Sequence, residues 1–259
     1  MTFLLAQGDV EAAIRTKYEK KILMLRNFYQ DGHLDYDKDG TVEGNPHVGS
    51  WTLARVEITK VKVKPQRLEL EGIRIGDVYD NKQSKFVPIL TKERVRIGID
   101  LDTSRMSLID VALSRVFLRD SERIADLVPP YWQAVTNGRV EDLMTSEGRP
   151  RYHIKGTDLL PNGPVSKSGP RVTPPRVVEA PDPHYTHIAK GSHYQGTTIL
   201  QAEVKPEGRA ENIQIVKALG LGLDDEAVRA VQQWKFEPAR KNGDPVRVVI
   251  NIEVNFRLN

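Results

Sequence analysis

From Val246 to the C-terminus the chain alternates without a fault. Val246, Val248, Ile250, Ile252, Val254, Phe256 and Leu258 stand against Arg247, Val249, Asn251, Glu253, Asn255 and Arg257. A period of two belongs to a β-strand with one buried and one wet face, so this end of the chain must hold a sheet covered on one side. At about 3.3 Å per residue the strand extends roughly 43 Å, twice the usual length. Shorter neighbours leave part of its backbone unpaired, and such an edge is a hazard unless another chain is meant to join it. Strand addition by an extended peptide is one use of such an edge, and closure of a homodimer is another. Arg247, Val249, Asn251, Glu253 and Asn255 flank this edge and are the candidate partner-binding residues.

Upstream, a short helical turn near 185–190 precedes a strand over 197–205. Pro206-Glu207-Gly208-Arg209 turns it into a second strand over 210–217. Gly220-Leu221-Gly222 breaks the chain before a helix over 224–234. Asp224 is placed as its N-cap, with Leu223 and Val228 as a hydrophobic staple. Asp225 and Glu226 fall where the helix dipole favours negative charge. Ala227, Val228, Val231 and Trp234 form the apolar stripe, and Asn242-Gly243-Asp244 leads into the last strand.

Taken in order, Gly196, Val204, Pro206-Glu207-Gly208, Leu223-Asp224, Ala227-Val228, Ala230-Val231, Trp234, Phe236, Pro238-Ala239, Gly243, Val254 and Phe256 resemble the C-terminal domain of the TonB energy-transducer family. The resemblance covers about a third of the chain, and Leu223, Asp224, Trp234, Phe236 and Pro238 carry its most specific part. Trp234, Phe236 and Pro238 also serve the fold, burying aromatic area at the helix-to-strand corner. The resemblance implies a periplasmic domain that grips a short segment of an outer-membrane receptor beside its last strand. In the family, an inner-membrane helix and a motor complex draw on the proton gradient to pull on that receptor. This sequence departs from the pattern in three respects: it shows no membrane helix, its Pro-rich connector is short, and Tyr185-Thr186 stands where the family has Tyr-Pro.

The rest of the chain is organised around that connector. Pro150, Pro161, Pro164, Pro170, Pro174, Pro175, Pro181 and Pro183 are half of the chain's 16 prolines, and apolar periodicity vanishes among them, as a linker predicts. Residues 151–178 hold five basic groups against one acidic, in a chain otherwise almost balanced. The expected organisation is a strand-rich domain over 1–149, a Pro/Gly-rich linker over 150–183 and a TonB-like domain over 184–259. In the first, a helix is expected from Asp9 to about Lys20, then strands over 22–29, 51–63, 67–75 and 94–102. The apolar phase slips between Val56/Ile58 and Val61/Val63, which predicts a bulge. Ser107 to Val116 has helical spacing, with Ser107 and Asp110 at capping-box distance. The fold class is α+β: a mixed, strand-rich first domain, then a small antiparallel three-stranded sheet with helices packed on one face.

With 38 Lys and Arg against 35 Asp and Glu, the balance of charge argues against nucleic acid as the main partner. The absence of cysteine excludes disulfides and thiolate chemistry. No stretch has the roughly 18 apolar residues of a membrane helix. The opening Met1 to Gln7 reads equally as the end of a secretory signal, with Ala6 before the mature start, or as a plain terminus, and a signal or anchor segment is expected upstream. Asp35, Asp37, Asp39 and Gly40 open like a calcium loop, but Pro46 stands where the closing Glu belongs, so a hairpin turn is the expectation. His184, His187 and His193 are a second candidate metal cluster without a fixed acidic ligand. No nucleophile elbow, phosphate loop or dinucleotide fingerprint occurs, so neither enzyme nor cofactor is expected. Two functions remain in view. One is an envelope protein docking to an outer-membrane receptor segment; the other is a periplasmic scaffold whose C-terminal module dimerises. A deep pocket in 9–149 would revive an enzyme.

Overall fold

The computed structural model describes residues 7–119, 121–138 and 172–258, with helices and strands mixed in an α+β arrangement. The chain divides into two compact units, residues 1–123 with 220–222, and residues 124–219 with 223–259.

The first unit opens with α1 (Gln7–Tyr18) and β1 (Ile22–Met24), followed by β2 (His33–Tyr36), β3 (Arg55–Lys64), β4 (Arg67–Asp80), β5 (Lys85–Asp100) and α2 (Met106–Val116). Its sheet has the order β1-β3-β4-β5-β2, antiparallel except where β2 runs parallel to β5. The phase slip in β3 is a bulge: the β3–β4 register shifts between Ile58 and Lys60. One extra residue there keeps Val56, Ile58, Val61 and Val63 all in the core. Val10 and Ile14 of α1 and Ile109, Ala112, Leu113 and Val116 of α2 complete that core on one face. Lys62, Lys64, Glu69 and Glu71 pair across the other.

The strands expected over 67–75 and 94–102 are longer, β4 running on to Asp80 and β5 starting at Lys85, and three further expectations for this unit change. The strand over 22–29 stops at Met24: Leu25 makes only an isolated bridge to Phe117, and Phe28 beyond it turns the chain with a positive φ of 55°. The strand over 51–63 begins as a 3-10 turn, Trp51–Leu53, because the Ser50 side chain accepts the N–H of Thr52. The Ser107/Asp110 capping box does not form: the helix starts one residue earlier without a side-chain cap, and Asp110 accepts hydrogen bonds from Lys17 and Tyr18.

The second unit begins with a 3-10 turn over 130–132 running into α3 (Gln133–Thr136). Most of the connector expected over 150–183 lies outside the described residues. Its end does not behave as a connector: β6 (Val172–Thr173) and β7 (Arg176–Glu179) are short strands. Then come α4 (His187–Gly191), β8 (Gly196–Val204), β9 (Ala210–Lys217), α5 (Leu223–Gln233), β10 (Lys235–Glu237), β11 (Ala239–Lys241), β12 (Asp244–Val246) and β13 (Val248–Phe256). β7 pairs with β10 and β6 with β11, so main-chain bonds hold residues whose side chains carry no apolar pattern. The principal sheet is antiparallel in the order β13-β8-β9, with α5 packed against β8 and β9. Leu200, Ala202, Val204, Ile215, Ala227, Val228, Val231, Val254 and Phe256 are buried between them.

The long final strand is two strands. Asn242 and Gly243, at φ 56° and 98°, make the tight hairpin between β11 and β12, and Arg247 interrupts the ladder before β13 begins. Asp224 is not an exposed N-cap. It lies within the first turn of α5, fully buried, where its carboxylate accepts the Leu219 N–H (2.9 Å) and the Thr198 hydroxyl (2.7 Å).

Candidate functional site: the open edge of β13

β8 sits between β13 and β9, and the turn at its end shows which way its backbone faces. Lys205 donates its N–H to Arg209 O (2.9 Å) and accepts that of Gly208, so its polar groups point toward β9. Gly208, at φ 75°, is the residue that lets this turn close, and an added Cβ there would strike the Phe236 carbonyl. Backbone direction alternates along a strand. Val204, Ala202, Leu200 and Thr198 therefore face β13, where they oppose Val248, Ile250, Ile252 and Val254 in unbroken register. By the same alternation Val249, Asn251, Glu253 and Asn255 turn their N–H and C=O groups away from β8. Among the described residues no strand lies on that side.

The side chains of these residues share the sheet face opposite α5. Arg247 is exposed and its Nε lies 2.7 Å from Glu203 on β8. Asn255 accepts a hydrogen bond from the Thr197 hydroxyl (2.6 Å), and Glu253 is in water. Val249 and Asn251 are half-buried. Both polar atoms of the Asn251 amide lie out of solvent and have no hydrogen-bond partner among the described residues.

The opposite side of the sheet is occupied. The 3-10 turn at 130–132 and α3 pack against β9. Trp132 is fully buried there and donates its indole N–H to Asp225 (3.0 Å), and Tyr131 donates its hydroxyl to the same oxygen (2.9 Å). Burial, then the Asp225 charge, pushes the Tyr131 phenol well above its ordinary range. Residues 124–138, expected with the first domain, thus group with the second unit. Sequence reasoning missed this contact; the Pro129-Pro130-Tyr131-Trp132 run was its only local mark.

The motif residues mostly build the corner. Leu223, the first residue of α5, is buried. The Phe236 N–H bonds Gly208 O (2.9 Å), the half-buried Trp234 donates to Pro181 O (3.1 Å), and Pro238 is half-buried beside Ala239. The candidate metal residues do not converge. Asp35 pairs with Arg67 and Asp39 with Arg115, and Asp37 accepts the N–H groups of Asp39 and Thr41 (both 2.9 Å), which shapes the expected tight turn around Gly40. His184 lies 3.9 Å from Glu226. Among the described residues no three His, Cys, Asp or Glu side chains form a metal cluster, and no helix is long and apolar enough to cross a membrane.

A three-stranded sheet with one helix-covered face, one occupied side and one open edge defines a small binding module. Residues 181–258 match the family described as Gram-negative bacterial TonB protein C-terminal, and they are a TonB C-terminal domain. Protein tonB2 of Pseudomonas aeruginosa is 32% identical over 80 residues, 30% of this chain and 30% of that protein. Protein TonB of Vibrio cholerae is 29% identical over 106 residues, 38% of this chain and 43% of that protein. Protein TonB of Escherichia coli K12 is 29% identical over 86 residues, 33% of this chain and 34% of that protein. The chain therefore spans 30% to 43% of the length of these curated relatives. A solution NMR structure of the Pseudomonas aeruginosa TonB C-terminal domain aligns at 21% identity over 33% of this chain and 87% of that one, with a TM-score of 0.28.

Proposed function

We propose that this protein is a periplasmic component of energy-coupled outer-membrane transport, whose TonB C-terminal domain docks an extended receptor segment by strand addition to β13. The observation that carries the reading is the open edge, where Val249, Asn251, Glu253 and Asn255 present unpaired backbone in a domain whose other side is occupied. Main-chain hydrogen bonds supply affinity in this mode, and side chains of alternate residues supply selection. The relatives named TonB support the partner class, and the proposed site consists of Arg247, Val249, Asn251, Glu253 and Asn255. No catalytic group is invoked. A signal or anchor segment upstream of Met1 would place the chain in the envelope.

Proline tests this directly, because it removes the N–H that the partner would accept. Asn251→Pro, checked for native circular dichroism, is titrated with peptides from outer-membrane receptor N-termini beside wild type. A loss of at least about tenfold in affinity is expected, equivalent to roughly 1.4 kcal/mol. Equal binding by both proteins removes strand addition. Self-association that disappears in the proline variant, with no peptide bound by either protein, replaces the reading with the dimeric scaffold.

A further inference from the structure

The polar side chains that β13 and the preceding Arg247 show on the outer face are not equivalent. Arg247 and Asn255 have cross-strand partners on β8, and Glu253 is solvated. The Asn251 amide has neither a partner among the described residues nor solvent. A buried amide left unbonded is a cost the fold carries, and such groups are uncommon enough in native structures to need a reason.

Its place supplies one. Asn251 opposes Gln201 on β8, and Gln201 opposes Gln214 on β9, so three carboxamide side chains cross the sheet in a single row. The row ends at the open edge. Asn251 also lies at the middle of the outward-facing backbone groups, between Val249 and Glu253. A strand added there sets one of its side chains directly opposite Asn251, with Cβ atoms about 5 Å apart, which is contact range for a hydrogen-bonding pair. Stacked amide side chains of this kind bond along a sheet in the direction of its ladder.

We infer that Asn251 is a specificity-determining residue, and that the partner segment carries, opposite it, a side chain able to donate and accept at once: Asn, Gln, Ser or Thr. Such a side chain satisfies both the amide N–H and the amide oxygen and extends the row to a fourth strand. An aliphatic residue leaves both unbonded, and Lys, Asp or Glu each meets only one. The inference rests on strand addition at β13, and it adds to that reading the identity of the position that selects.

The probe is a set of synthetic nine-residue peptides, the length of β13. Valine alternates with alanine, lysine is appended at both ends, and one glutamine is moved through the alanine positions. Fluorescence anisotropy is measured with wild type, Asn251→Ala and Asn251→Pro, each verified by circular dichroism. One glutamine position should bind wild type about fivefold or more tighter than the all-alanine host, the scale of one net hydrogen bond. Asn251→Ala should bind host and glutamine peptides alike, the preference for any one glutamine position being lost. If wild type binds every peptide equally and Asn251→Pro binds none, strand addition stands and the selecting role of Asn251 is overturned. If Asn251→Ala keeps the glutamine preference, the role belongs to another residue. If wild type binds no peptide, strand addition itself fails and the inference falls with it.

Discussion

Two sheet edges in this molecule invite comparison. β5 meets β2 only over Arg96–Ile99, so along 85–95 its far side faces no strand among the described residues. β13 is open in the same sense along 248–256. The first edge is blunted twice. Pro88 lacks an N–H, and proline in a strand is confined to edges and bulges. The β4–β5 register also shifts between Ile73 and Ile75, where Thr91 donates its hydroxyl to Arg74 O (2.6 Å) and accepts the Glu93 N–H. These devices guard an edge that would otherwise be sticky, for Leu90 is 74% exposed there. Between Val248 and Phe256 the second edge has neither proline nor bulge, and its nearest proline, Pro245, lies beyond the Arg247 break. Equal exposure with unequal protection is what distinguishes the proposed docking edge from the guarded one.

The side of the second sheet that is covered gives the largest expected effect. Trp132→Ala removes a fully buried indole and should destabilise the second unit by about 3–5 kcal/mol in denaturant unfolding. A change below about 1 kcal/mol would show that β9 is as open as β13 and erase the asymmetry.

Beneath the blunted edge, Asp77 opposes Pro88 and is fully buried, with the Arg55 Nε 3.2 Å from its carboxylate. Burial, offset only in part by the Arg55 charge, raises its pKa to about 6. The folded chain therefore keeps this proton up to about pH 6, while the unfolded chain sheds it near pH 4. Unfolding releases a proton in that window, so Asp77 lowers stability as pH rises through it and leaves a fixed penalty above. Asp77→Asn should gain on wild type by up to about 3 kcal/mol between pH 4 and pH 7, read by urea unfolding at several pH values. Parallel curves for the two proteins would refute the assignment.

A smaller effect separates the edges themselves. Leu90→Pro on β5 should leave receptor-peptide affinity within about twofold of wild type, whereas Asn251→Pro loses it. Smallest of all, Pro88→Val restores a donor to the guarded edge. It should produce weak self-association in sedimentation velocity, about 1 kcal/mol or less of added attraction. A monomer unchanged at high concentration would show that the bulge guards β5 alone.

Much of the fold was legible because burial writes a period into the chain. The alternation after Val246 marked β13, and the phase slip between Val56/Ile58 and Val61/Val63 marked the bulge of β3, which falls between Ile58 and Lys60. The TonB C-terminal domain was legible from Leu223 to Ala239 for the same reason, since Trp234 and Phe236 must close a corner. What was hidden depends on partners far along the chain. Asp225 meets Trp132 from 93 residues away, and no local pattern announces that. β6 and β7 gave no signal because main-chain bonds hold them, with Val177 and Val178 both exposed. Which β13 residues face outward followed only from the Lys205–Arg209 bond, and the solitary Asn251 amide only from the atoms around it.

The aromatic clasp on Asp225 also decides how tension would travel. On the proposed function, a pull arriving along the chain at Ile124 would enter the sheet beside β9, and a segment docked at β13 would pull from the other margin. Load must then cross both ladders in series. The β8–β13 ladder runs unbroken from Val248 to Phe256, but the β8–β9 ladder is interrupted between Ile199 and Leu200 and again between Gln201 and Glu203. Of the two ladders that lie between the clasp and the proposed docking edge, the inner one is thus the less regular.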